Sequence, residues 1–126
     1  MSSKTLTRTL VANAGFSGAT GLAMVVAADP LSRWLGIPFW LTVAVGAALM
    51  PFAVVVAGVA RNPRPAAVKS VIVADAAWVV GAAAVIIGFP QSMSSAGLWA
   101  LGLVTLAVAD FALFQLIGLR RSLMTA

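Results

Sequence analysis

Four long apolar runs separated by short connections constrain this chain more than any other feature. They cover roughly residues 10–28, 39–60, 68–88 and 98–119. Each is close to the ~20 residues that carry an α-helix, at 1.5 Å per residue, across a hydrocarbon core of about 30 Å. That core holds no water to satisfy backbone N–H and C=O groups. A spanning segment must therefore close its hydrogen bonds internally, and helices do so. The expected fold is an all-α membrane protein: a four-transmembrane-helix bundle with short loops, built by residues 1–126 as a single membrane domain. Composition points the same way. Only 9% of the 126 residues are charged and 62% are hydrophobic, whereas a soluble domain carries roughly 25% charged residues. So few charges cannot clothe a surface facing water, so lipid is the expected solvent.

The start of the first run imitates a signal peptide. Lys4 and Arg8 precede it, and Val26-Ala27-Ala28 resembles a small-x-small cleavage site. The run is long for that purpose, however, and is interrupted by Asn13, Ser17 and Thr20, so a retained helix is expected. Asp29-Pro30 then predicts a short interfacial helix, with Asp29 as N-cap and Pro30 at the first helical position. Trp34, Phe39, Trp40 and Trp99 sit where an aromatic belt marks the membrane–water boundary.

Charge predicts orientation. Lys4 and Arg8 precede the first run, Arg61, Arg64 and Lys69 lie between the second and third, and Arg120 and Arg121 follow the fourth. The other two loops hold only Arg33. Basic flanks stay on the cytoplasmic side. The expected location is thus the cell membrane, multi-pass, with both termini cytoplasmic. The net charge of +5 does not point to nucleic acid, because the basic residues bracket apolar runs and form no stripe.

The composition also excludes chemistry. There is no Cys, His or Tyr, and the only side-chain carboxylates are Asp29, Asp75 and Asp110. Disulfides, thiol nucleophiles, haem ligation by His or Cys and ordinary zinc sites are ruled out. The loop serines Ser92, Ser94 and Ser95 have no nearby base to activate them. Met24, Met50 and Met93 are dispersed, as core filling requires rather than a copper site. No cofactor, no metal and no enzymatic activity are expected.

Polar residues inside the helices are the informative exceptions. Thr5, Thr9, Asn13, Ser17 and Gly21 recur every fourth residue and form one ridge, flanked by Ala14 and Gly18. Such small and hydroxyl residues let helices approach closely and hydrogen-bond across their interface. Asp75 lies about 9 Å along its helix from Lys69, and Asp110 about 15 Å from Arg120, near the midplane. A charged carboxylate at that depth costs about 2.5–3.5 kcal/mol on insertion scales. The expectation is one buried polar cluster of Asn13, Ser17, Asp75 and Asp110, serving packing or an ion or proton site. Thr105, Trp78 and Arg8 are further candidate donors to Asp110. Gln115, about 140° around the helix from Asp110, is expected to serve a different contact. Val73-Ala74-Asp75 and Val108-Ala109-Asp110 form a weak repeat. Trp78, Phe111 and Phe114 could line a lipid or pigment contact, and Pro51 should kink the second helix.

Length and crossing number match those of small multidrug exporters. Those proteins rely on a glutamate in the first helix, where this chain has Asn13 and no glutamate anywhere, so that family is not implied. Small fluoride channels have a similar length, but their Phe- and Thr-rich motifs are missing. The expected function is an accessory or scaffold subunit of a larger membrane assembly, in contact with other membrane subunits or with further copies of itself. The alternative is a small oligomeric transporter or channel that couples protons or cations through Asp75 and Asp110.

Overall fold

The computed structural model describes residues 2–125 and, among them, consists of helices and short connections without strands. Its helices are α1 (Ser2–Val26), α2 (Ala28–Leu35), α3 (Phe39–Arg61), α4 (Pro65–Gly88) and α5 (Ser95–Thr125), with a single 3-10 turn at Pro90–Ser92. Four of them are long and apolar enough to cross a membrane: Lys4–Val26, Phe39–Arg61, Pro65–Gly88 and Ser95–Arg121. The protein is a four-helix membrane bundle. The helices overrun the apolar runs because flanking Thr, Ser and Arg residues continue the backbone pattern into the polar boundary.

α1 is the centre of the arrangement. It packs along α3 on one side and α5 on the other, and α5 in turn packs on α4. α3 and α4 touch little despite their short link. At the end that carries both termini, Leu6 and Leu10 of α1 meet Val56 of α3, Val68 and Val71 of α4 and Leu119 of α5, which closes the bundle.

The α1–α3 crossing depends on missing side chains. A Cβ at Gly21 would lie 2.9 Å from the Gly46 carbonyl oxygen, and one at Gly46 would lie 2.8 Å from the Gly21 oxygen. Helix backbones meet here directly, as small residues in membrane helices allow. Gly18 faces Ala53 one turn away. α5 approaches α1 in the same manner, with Gly118 set against Leu6.

The two ends of the bundle differ. Lys4, Arg8, Arg61, Arg64, Lys69, Arg120 and Arg121 cluster at the end with the termini, here called the basic end. The opposite end exposes Trp34, Phe39, Trp40, Phe89 and Trp99, an aromatic girdle of the kind that sits at headgroup depth. Its one basic residue, Arg33, is ion-paired with Asp29 across one turn of α2.

That pair corrects the expected cap. α2 begins at Ala28 with Ala27 as its N-cap residue, and no side chain caps it. Asp29 lies inside the first turn, where an acidic group favours the helix dipole. Gly36 ends α2 in the left-handed conformation at φ 72°, which glycine adopts without strain. Ser94 then ties α2 to α5. Its hydroxyl donates to the Trp34 carbonyl at 2.7 Å and accepts the Gly97 N–H at 3.0 Å, and its N–H donates to the Leu35 carbonyl at 3.1 Å. α3 continues through Pro51 as one helix from Phe39 to Arg61.

Gly46→Leu should destabilise the fold by about 1–3 kcal/mol, the usual range for overpacking. Gly58→Leu should cost nothing, because a Cβ there meets open space. Equilibrium unfolding of both variants in bicelles checks this contrast.

Candidate functional site

One polar cluster lies inside the bundle, and its geometry follows from helix spacing. Asn13 and Ser17 are one turn apart on α1 and face inward together with Gly21. Asp75 faces α1 and α5 from α4. Gln115 lies three residues before Gly118, so the close α5–α1 approach at Gly118 turns Gln115 inward as well. Asn13, Ser17, Asp75 and Gln115 retain 1%, 6%, 3% and 0% of their exposure.

The contacts form a closed triangle. Asn13 Nδ2 donates to Asp75 Oδ2 at 2.9 Å and to Gln115 Oε1 at 2.9 Å. Gln115 Nε2 donates to the same Asp75 Oδ2 at 2.9 Å. Ser17 Oγ completes the set by donating to Asn13 Oδ1 at 3.2 Å. Both amide protons of Asn13 and its carbonyl are thereby used. Three helices, α1, α4 and α5, are joined through one carboxylate oxygen.

Chemically, the arrangement supplies two donors to one oxygen of a carboxylate. What faces Asp75 is a pair of N–H donors, each a neutral amide. A cation site needs the opposite, with oxygens converging on the ion. The amide oxygens of Asn13 and Gln115 are themselves engaged by Ser17 and Asn13.

The expected cluster is thus corrected at one member. The structure brings Asn13, Ser17 and Asp75 together but leaves Asp110 out. Asp110 is exposed on the outer face of α5, and Gln115 occupies the inner place. The physical reason is the offset of about 140° between the two residues: one rotation of α5 cannot bury both. Gln115 both donates and accepts, so it can bridge Asn13 and Asp75. Asp110 as a carboxylate could only accept, and would set a second acidic group against Asp75. The donors proposed for Asp110 go elsewhere. Asn13 belongs to the triangle, Ser17 donates to Asn13, and Trp78 Nε1 and Thr105 Oγ1 are buried with no hydrogen-bond partner among the described residues.

The three aromatic residues differ in setting. Phe111 meets Phe16 of α1 edge to face, with ring centroids 5.6 Å apart. Phe114 points outward, 49% exposed, and Trp78 is half-buried on α4.

Comparison with protein-family models, with curated proteins and with solved structures finds no match to this chain.

Coupling within the triangle should be measurable. Asp75→Leu and Gln115→Leu, singly and together, should give a double-mutant coupling of about 0.6–1.7 kcal/mol, the range for hydrogen bonds between membrane helices. The purified Asp110→Leu variant should unfold no more easily than the original chain.

Proposed function

We propose that this protein is a non-enzymatic accessory or scaffold subunit of a membrane assembly, held in the cell membrane with its basic end toward the cytoplasm. The observation that carries this reading is the closed triangle of Asn13, Asp75 and Gln115. Both N–H groups of Asn13, one N–H of Gln115 and the Oδ2 of Asp75 are engaged in joining three helices of the same chain. A transport site must instead exchange its partners with a passing ion or proton.

Other features support the reading. The connections between the described helices are short, so the described residues lie almost wholly in helices. The apolar outer faces of α3 and α5, with Val54, Val55, Leu103 and Leu106 well exposed, suit contact with lipid and with neighbouring helices. Seven basic residues at one end, against an ion-paired Arg33 at the other, orient that end to the cytoplasm.

Two measurements test the proposal together. Purification from native membranes in mild detergent should yield the protein in a complex of fixed stoichiometry with another membrane protein. Proteoliposomes of the isolated chain should pass protons and monovalent cations no faster than empty vesicles. Flux abolished by Asp75→Asn would reject the subunit reading in favour of a proton- or cation-coupled carrier.

A further inference from the structure

The carboxylate left outside the core stands in an ordered setting. Trp99, Leu103, Leu106, Asp110 and Leu113 follow one another along α5 at alternating steps of four and three residues. That is the spacing of a helix-packing seam. All five face away from the bundle, with Trp99, Leu103, Leu106 and Leu113 exposed by 75%, 63%, 65% and 52%. Asp110 is the one polar member and has no hydrogen-bond or ion-pair partner among the described residues. Toward the aromatic end the seam borders a shallow apolar trough of about 380 Å³, where Ile86 and Gly102 lie beside Trp99, Leu103 and Leu106. A Cβ at Gly102 would meet nothing within 4 Å, so the trough is open to a neighbour.

Depth and charge together select the occupant. Asp110 lies about 15 Å along α5 from Arg120, which is half the thickness of the hydrocarbon core. A lipid headgroup does not reach that level. A second copy of this chain brings no cation there either. Arg8, Lys69 and Arg120 each lie about 7–9 Å beyond the triangle toward the basic end, and Asp110 lies about 7 Å from it in the other direction. Two copies inserted with the same orientation and joined symmetrically along this seam would oppose carboxylate to carboxylate, an unfavourable pairing unless a proton is shared.

We propose that the Asp110 seam of α5 docks a transmembrane helix of a different protein, one that presents a lysine or arginine at mid-bilayer depth. The apolar members of the seam supply packing, and the intramembrane ion pair fixes register. A single polar position in an otherwise apolar seam has that role in coiled coils, and charged groups within membranes are found paired. This inference rests on the subunit reading above and names the partner's chemistry.

The test uses the full chain in phosphatidylcholine vesicles with designed transmembrane peptides. One is a leucine-rich helix with a single central lysine. A second has leucine at that position, and a third carries the lysine two turns nearer one end. Energy transfer between labelled chain and peptide reports association. The central-lysine helix should bind at least about tenfold more tightly than the other two. Asp110→Leu and Asp110→Asn should both abolish the advantage, and Asp110→Glu should restore part of it. Equal binding of the three peptides would overturn the proposal. So would binding unchanged in Asp110→Leu, or self-association of the chain that depends on Asp110. The native complex separates this inference from the subunit reading. A fixed complex that survives Asp110→Leu keeps the subunit role and removes this seam. Central-lysine binding through Asp110 without any native complex supports the seam and removes the subunit role.

Discussion

Asn13 and Gln115 donate to the same oxygen of Asp75, and this shared acceptor sets how three of the four spanning helices face one another. Inside a bilayer no water competes for polar groups, so a buried carboxylate without donors is severely disfavoured. Rotating α1, α4 or α5 about its axis would strip Asp75 of a donor or leave an amide unpaired. Apolar packing alone discriminates poorly among rotations, because the lipid is as apolar as the helix surface. Hydrogen bonds within the triangle therefore contribute specificity more than bulk stability.

Glycines make that network reachable. Gly21 and Gly46 let α1 and α3 touch backbone to backbone, and Gly118 brings α5 onto α1 at Leu6. Short side chains such as Asn span only a small gap, so the triangle closes only where helices are this near. α3 supplies no member of the triangle. It acts through the α1 contact and through Val56, which seals the basic end with Leu6 and Leu10. Ser94 and Gly36 perform the corresponding fastening at the aromatic end, where α2 meets the start of α5.

Much of this was legible in the residues themselves. The length of the apolar runs predicts four spanning helices, and the four-residue recurrence of Asn13, Ser17 and Gly21 predicts the buried ridge of α1. Inward orientation of Asp75 follows from its cost in lipid. The same reasoning places Asp110 inside, because a carboxylate at the midplane costs most where it meets lipid, yet the structure sets it on the outer face. The offset between Asp110 and Gln115 already required a choice. What decided it was the α5–α1 contact at Gly118, a tertiary fact with no local signature. The cap of α2 differs from the sequence expectation for a similar reason. Asp29 and Pro30 fit an N-cap and first helical position, but the turn at Ala27 starts the helix earlier, which leaves Asp29 free to pair with Arg33.

Inward amide and outward carboxylate on one helix give the chain two distinct polar features with separate roles. The first joins its own helices, and the second is exposed on the outer face, where we propose that it meets a neighbouring helix. Solid-state NMR of the purified protein in lipid, with ¹⁵N in the Asn and Gln side chains and ¹³C in the Asp carboxyls, tests this division most directly. The account predicts strong ¹⁵N–¹³C dipolar coupling from both Asn13 and Gln115 to the Asp75 carboxyl carbon and none to that of Asp110. Coupling of Asn13 to Asp110, with Gln115 uncoupled, would contradict it.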